Sequence, residues 1–254
     1  MTAPASPHAL ITGGGSGIGA ATAAMLAAAG ARLTLVGRNR DKLERVASQI
    51  AGAHFAIADV ADEAMVQAAF ASARDAHGPV QILVNNAGIA VSAPFHKTDL
   101  AFWNRTLSTN LTGAFLFAQA GLPDMLAAGW GRIVNVASVC SLKGYAYVTA
   151  YCASKHGLLG LTRALAHETA KRGVTVNAVC PGYVATDIVA DAAKNIIEKT
   201  NLTEEEAQAS IVRFNPQGRL IEAEEVASAI AWLCTDGAAS VNGAALPMTG
   251  GEIG

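Results

Sequence analysis

Charge is scarce in this sequence, and neither sign is in excess. Asp, Glu, Lys and Arg make up 15% of 254 residues, and 18 basic residues face 20 acidic ones for a formal net charge of −2. A nucleic-acid footprint needs clustered Lys and Arg, so no nucleic-acid partner is expected. Cysteine is scarce as well. Cys140, Cys152, Cys180 and Cys234 form no C-x-x-C pair, and their spacing does not suit zinc. They read as buried free thiols of a reducing, cytoplasmic protein. The six histidines include no H-E-x-x-H, and no metal is expected. The N-terminus lacks a basic region followed by an apolar one, so no export signal is read, and the sequons at Asn110 and Asn201 then carry no meaning. Two stretches lack charge, 9–31 and 106–123. The first is mostly glycine and alanine, and the second holds Asn110, Thr112, Gly113 and Gln119, so neither reads as a membrane span.

What the chain has is apolar material, 52% by count, enough to exclude disorder. Short β-branched runs alternate with Ala/Leu-rich helical stretches. Strands are expected at 9–12, 32–36, 54–58, 80–84, 132–137, 174–179 and about 243–247. Helices are expected at about 17–29, 41–49, 62–76, 99–128, 148–171 and 222–234, the fourth bent at Gly121-Leu122-Pro123. Strand–helix–strand repetition implies parallel pairing with right-handed crossovers. The fold class is therefore α/β, a single-domain Rossmann fold over 1–254, with a doubly wound seven-stranded parallel sheet and helices on both faces. The polar helical segment 185–216, with a capping-box pattern at Thr203 and Glu206, breaks the rhythm and reads as a substrate lid.

T-G-G-G-S-G-I-G at 12–19 lies between the first strand and the first helix. Gly13 permits a tight turn, Gly17 clears room for a phosphate, and Gly19 lets helix and strand approach. Ser16 and Ile18 complete a turn that presents N–H groups to a pyrophosphate. The second strand ends V-G-R-N-R at 36–40, with Gly37 where a ribose-binding acid would stand. Arg38, beside Asn39 and helped by Arg40, suits a 2′-phosphate, so NADP(H) is preferred and NAD(H) possible. Asp41 is expected to cap the next helix.

Ser138 closes the fifth strand, and Y-C-A-S-K follows at 151–155. Tyr151 and Lys155 share one helix face at i and i+4. An adjacent ammonium should lower the phenol's pKa and fit it for proton transfer.

With these motifs the whole chain resembles the short-chain dehydrogenase/reductase family. The matching pieces are T-G-G-G-S-G-I-G, Asp59-Val60, N-N-A-G at 85–88, Asn110, Ser138, Y-C-A-S-K, and P-G-Y-V-A-T at 181–186, in order across about 15–249. The resemblance implies that Tyr151 exchanges the proton and Ser138 holds the substrate oxygen. Lys155 would lower the Tyr151 pKa and hold the nicotinamide ribose, and Asn110 would bind a relay water. It implies that Asp59 and Val60 frame the adenine, that Asn86, Ala87 and Gly88 line the cofactor trough, and that Pro181, Gly182, Val184 and Thr186 place the carboxamide. It also implies a homo-oligomer, tetramer or dimer, packed through 99–128, 148–171 and the last strand.

The substrate is expected between the 139–148 loop and the lid, against Cys140 and Tyr145, with Leu142 and Tyr147 as further walls. Around Y-C-A-S-K-H-G, N-A-V-C-P-G-Y and N-P-Q-G-R-L the chain is similar to 3-oxoacyl thioester reductases and aromatic polyketide ketoreductases. The expected reaction is hydride transfer between NADP(H) and a 3-oxoacyl or 3-hydroxyacyl thioester of CoA or a carrier protein. Lys143, Lys194, Lys199 and Arg213 are candidates for CoA phosphates. A free cyclic or aryl ketone is the alternative small-molecule substrate. A non-catalytic nucleotide-sensing protein is a third reading, one with no use for the Tyr151–Lys155 pair.

Overall fold

The computed structural model describes residues 3–187, 189–190, 197, 200 and 202–253, apart from the Gln208 side chain. The strands are β1 (His8–Thr12), β2 (Arg32–Gly37), β3 (His54–Ile57), β4 (Ile82–Asn85), β5 (Gly131–Val136), β6 (Val174–Pro181) and β7 (Ala245–Met248). They form one sheet in the order β3-β2-β1-β4-β5-β6-β7, parallel at every pairing. The order reverses between β1 and β4, so the crevice beyond their C-terminal ends is the topological switch point.

Successive strand residues feed opposite faces. Ala9 and Ile11 of β1 join one apolar cluster with α1 (Gly17–Ala28), α2 (Arg40–Ala47) and α8 (Ala223–Leu233). Leu10 joins the other, with α3 (Glu63–His77) and α5 (Gly113–Ala128). Both faces are covered, which is why the strands are continuously apolar rather than alternating. Two further helices are α6 (Thr149–Thr169), which carries the Y-C-A-S-K motif, and α7 (Glu204–Val212). At α7 the capping box forms as expected, with the Thr203 hydroxyl accepting from Glu206 N and the Glu206 carboxylate accepting from Thr203 N.

Two expectations need correction. The stretch 99–128 is not one helix bent at Gly121–Pro123. α4 (Leu100–Leu107) and α5 are joined by a π turn at Ser108–Thr112, and Pro123 is absorbed within α5. The turn widens around Asn110, whose buried side chain supplies hydrogen bonds that a regular helix there would not. Asp41 does not cap α2 either. Asn39 does, its Oδ1 accepting from Lys42 N at 2.9 Å, and α2 begins one residue earlier than expected. The run Leu100–Ala128 is long and apolar enough to cross a membrane by length and composition. In the fold, α5 buries Leu116, Phe117 and Met125 in the cluster that includes Phe70 of α3, as a core helix does.

At the opposite end of β1, His8 is fully buried. Its Nδ1 lies 2.8 Å from the Gly78 carbonyl and its Nε2 2.9 Å from the Thr34 hydroxyl. The carbonyl requires a donor, so Nδ1 carries the proton and Nε2 accepts from Thr34. The neutral ring is thereby satisfied. Burial, with the nearby His77 and Arg32 adding to it, lowers the His8 pKa from 6.5 to about 4. Between these values the unfolded chain binds a proton that the folded chain refuses, so stability falls as pH falls through that window. From pH 7 to pH 5 the loss from His8 is expected to be about 2 kcal/mol, measurable by urea unfolding. A His8→Gln variant should show a flatter dependence; an unchanged slope would assign the loss elsewhere.

Candidate active site

The glycine turn is shaped by contacts that leave no room for side chains. A Cβ on Gly19 would stand 2.2 Å from the Gly13 carbonyl oxygen, and one on Gly13 would stand 2.7 Å from Asn86 Nδ2. Gly13 and Gly17 both have positive φ, +66° and +51°, and Gly17 faces Thr186. Ser16 precedes α1 in extended backbone with no side-chain cap, and the first turn of α1 holds no acid. An uncapped N-terminus with positive partial charge, bare of side chains and placed at the switch point, fits a pyrophosphate. Ile18 packs against the core below it. Across the crevice the Thr12 hydroxyl accepts from both Asn86 N and Ala87 N, each at 3.0 Å, while Asn86 Nδ2 donates back to the Thr12 and Gly13 carbonyls. Asn85 Oδ1 is a buried acceptor with no partner, and it lines a small pocket with Thr12, Ala87 and Asn110.

At the end of β2, Arg38 is 70% exposed and only loosely paired with Asp59, at 3.8 Å. Asp59 Oδ1 accepts from Ala61 N, and Val60 is buried against Gly113. Asn39 lies here too, but its side chain is spent on the α2 cap. Beyond β6, Gly182 N donates to the Met248 carbonyl, and Val184 bridges to Ile221. The Thr186 hydroxyl donates to the Val184 carbonyl. Lys42 ties this segment to α2 through Asp187 at 2.8 Å.

Ser138 stands two residues beyond β5 and accepts from Cys140 N, capping the short turn Val139–Ser141. Tyr151 and Lys155 follow on α6 as the spacing requires. Lys155 is 4% exposed, and its Nζ donates to the Val136 carbonyl at 2.8 Å. A Cβ on Gly88 would stand 3.6 Å from Lys155 Nζ and 3.3 Å from Asn110 Oδ1, so Gly88 lets these groups converge. Asn110 Oδ1 accepts from Ile89 N at 2.8 Å, and Nδ2 donates to the Ile89 carbonyl and to the Ser154 hydroxyl. Ser138, Tyr151, Lys155 and Asn110 thus come together from the turn after β5, from α6 and from the π turn.

The electrostatics differ from expectation. Tyr151 is not made acidic. Burial raises its pKa above the ordinary phenol value, Cys140, Cys152 and Tyr183 add to the rise, and only the interaction with the Ser138 hydroxyl opposes it. Lys155 Nζ is 5.7 Å from the ring centroid and is occupied by a backbone carbonyl. Burial also lowers the Lys155 pKa to about 8, which weakens its hold on a full charge. Desolvation dominates the ion–phenol attraction in this enclosed site.

On the substrate side, Cys140 and Cys152 pack with Val139 in a small cluster that Tyr145, Val148, Tyr151 and Ile253 cover. All four cysteines are buried and free, and burial pushes the Cys140 thiol up to about 12. Tyr145 meets Phe214 edge-on at 6.1 Å, and Phe214 stacks on Tyr183 at 5.9 Å. Of the other expected walls, Tyr147 is 65% exposed and Leu142 packs into the cluster around Leu158, so neither joins this group. Arg213 lies over the Phe214 ring, and Lys143 over Tyr145. Lys194 and Lys199 lie outside the described residues. Sequence reasoning missed Tyr183, Phe214 and Glu252. The Glu252 carboxylate accepts from the Tyr145 hydroxyl and pairs with Lys143 at 3.1 Å. Nothing local in T-G-G-E signals this, because the contact spans 107 residues.

The chain matches the family described as short chain dehydrogenase over residues 7–196. It is 40% identical over 253 residues to a granaticin polyketide synthase putative ketoacyl reductase 1 of Streptomyces violaceoruber, covering 97% of this chain and 93% of the relative. It is 41% identical over 249 residues to a cis-4-hydroxycyclohexanecarboxylate dehydrogenase of Sinomonas cyclohexanicum, covering 96% and 95%. Among solved structures it is similar to a single-residue variant of actinorhodin polyketide ketoreductase with NADPH, with a TM-score of 0.94, 36% identity and 99% coverage of both chains.

The π turn generates a test of the scaffold. Asn110→Leu would strand the Ile89 N–H and carbonyl in a partly buried setting. A loss of about 2 kcal/mol in urea unfolding is expected, with secondary structure retained by circular dichroism. A loss under about 0.5 kcal/mol would show that the turn does not rest on this side chain.

Proposed function

This chain belongs to the short-chain dehydrogenase family, and from that membership we propose that it reduces the 3-oxo group of an acyl thioester with NADPH. It is an oxidoreductase that uses a nicotinamide dinucleotide and a small-molecule substrate. The observation that carries the reading is the convergence of Ser138, Tyr151 and Lys155 beside the switch point, with α1's bare N-terminus across the crevice. When bound, NADPH supplies the hydride.

The chain's own residues manage the proton and the fit. A phenol held above its usual pKa stays protonated at neutral pH and remains more acidic than the alcohol that the reduced carbonyl becomes. Tyr151 therefore gives its proton to the substrate oxygen as negative charge develops there. The Ser138 hydroxyl orients that oxygen. Lys155 would return a proton to Tyr151 through a water that Asn110 binds and that leads to solvent. Gly13, Ser16, Gly17, Ile18 and Gly19 would hold the pyrophosphate, and Asp59 and Val60 the adenine. Asn86, Ala87, Gly88, Tyr151, Lys155, Pro181, Gly182, Val184 and Thr186 would line the rest of the dinucleotide. The exposed, loosely paired Arg38 supports a 2′-phosphate and hence NADP(H) over NAD(H).

The thioester is favoured by likeness to the ketoacyl and polyketide ketoreductases and by the flat walls of Tyr145, Tyr183 and Phe214. A cyclic alcohol or ketone is the second reading, favoured by likeness to the cyclohexanecarboxylate enzyme. We also infer a single domain with a lid over 185–216, which the Lys42–Asp187 pair supports. A cytoplasmic homo-oligomer fits four buried free thiols and the exposed Phe115 of α5 and Trp232 of α8.

Tyr151→Phe is expected to keep dinucleotide binding, measured by NADPH fluorescence, and to lower kcat about 1000-fold. Turnover within tenfold of the parent would remove Tyr151 from the chemistry. Arg38→Ala should weaken NADPH about tenfold or more and leave NADH nearly unchanged. Equal losses would contradict the 2′-phosphate assignment. Rates by nicotinamide absorbance with acetoacetyl-CoA, a cyclic ketone and an aryl ketone separate the two substrate readings.

A further inference from the structure

The last residues of the chain fold back over the substrate side of Tyr151. Gly250 and Gly251 both adopt positive φ, +63° and +99°, and a Cβ on Gly250 would collide with the Asn215 side chain at 1.9 Å. Asn215 is itself pinned by its contacts with Arg219 and Gln217. The turn is closed by Thr249, whose hydroxyl accepts from Ile253 N at 3.3 Å. Ile253 then packs on the Cys140–Cys152 cluster beside Tyr151, and Glu252 points inward.

Glu252 is the unexpected residue, because its side chain is 6% exposed. Carboxylates are rarely so buried unless paired. Oε1 receives two donors, the Tyr145 hydroxyl and Lys143 Nζ at 3.1 Å. Oε2 faces Gly182, 3.8 Å from where a Cβ there would stand. Tyr145 and Lys143 are donors that an anionic substrate could use at this wall, and Glu252 already engages both. Among the described residues the other cations nearby are Lys155, which donates to the Val136 carbonyl, and Arg213, which is exposed and lies over the Phe214 ring. The rest of the wall is apolar or aromatic: Val139, Val148, Ile253, Phe214 and Tyr183.

We propose that Glu252 is a specificity-determining residue, a built-in anion that fills the Lys143–Tyr145 site and so restricts the pocket to substrates uncharged next to the reacting carbonyl. A free 3-oxo acid carries its carboxylate two carbons from that carbonyl. To bind, it would have to displace Glu252 from Lys143 and leave a buried carboxylate unpaired, or sit beside it as a like charge. A neutral ester or thioester of the same acid meets neither obstacle. The inference rests on the proposed carbonyl reduction at Tyr151 and adds to it the charge of the substrate.

The test compares acetoacetate with ethyl acetoacetate, which share the reacting ketone. The parent enzyme should prefer the ester by about 100-fold or more in kcat/KM. Glu252→Gln leaves Lys143 uncompensated beside the pocket and should raise the acid-to-ester ratio at least about tenfold. Lys143→Gln, at a side chain 43% exposed, should lower the ratio further by leaving Glu252 without its cation. Should Glu252→Gln fail to fold by circular dichroism, the parent ratio and Lys143→Gln decide the matter. A parent that takes the acid as readily as the ester overturns the inference, as does a ratio that does not rise in Glu252→Gln. Preference for the acid, lost in Lys143→Gln, would make Lys143 an anion receptor and overturn it too. If the ester is reduced in a Tyr151-dependent manner in any of these cases, the carbonyl reduction stands and only the selectivity fails. If neither compound is reduced, the reduction of 3-oxoacyl compounds fails, and the selectivity with it.

Discussion

Everything at the site depends on how two parallel strands are joined where they diverge. β1 and β4 are neighbours in the sheet, yet their following segments leave in different directions, which opens the crevice. The Thr12 hydroxyl, at the end of β1, accepts two N–H groups from the chain leaving β4, and Asn86 returns two hydrogen bonds to the turn leaving β1. This clamp satisfies backbone groups that the sheet can no longer pair. It also fixes the glycine turn against 86–88 at a separation set by hydrogen bonds rather than by side-chain bulk. The absence of Cβ atoms at Gly13 and Gly19 is a condition of the clamp as much as of any ligand.

A second set of polar contacts carries that registration to the reacting groups. Asn85 donates to Asn135, Asn135 donates to Thr162, and Thr162 donates to the Leu158 carbonyl. This chain crosses from β4 through β5 into α6, the helix that bears Tyr151 and Lys155. Asn110 performs a similar task from the other side, joining the π turn to Ile89 and to Ser154 of α6. Buried polar networks of this kind hold orientation more strictly than apolar packing does, since a slipped register leaves groups unpaired. α6 is held on two sides by such contacts, so the position of the Tyr151 phenol relative to Ser138 is set by the scaffold.

The fold was legible in the sequence because its signals are local and repeated. Most strands are short runs rich in β-branched residues, and several helices are Ala/Leu-rich stretches followed by a stop such as Gly30 or Gly78. The shared helix face of Tyr151 and Lys155, the pair proposed to react, was legible because they are four residues apart. The misreadings arose where a distant contact decides a local outcome. Pro123 looked like the natural bend, but the Asn110–Ile89 contact, 21 residues apart in sequence, moved the break to the π turn. Asn39 and Asp41 are both good caps, and the geometry leaving β2 selected Asn39. Glu252 could not be found at all from its neighbours, because its partners Lys143 and Tyr145 lie in a loop joined to it only by the closing of the sheet.

The sign of the Tyr151 shift teaches a further point about reading titration from spacing. A lysine at i+4 guarantees a shared face, but it does not guarantee that the ammonium is spent on the phenol. Here the sheet offers Lys155 a backbone carbonyl at the open end of β5, and the ammonium takes it. The phenol is left in surroundings of thiols and aromatic rings, where the charged form is the costly one. The consequence is directional. A site that keeps its phenol neutral is poised to give a proton rather than to take one, which suits carbonyl reduction.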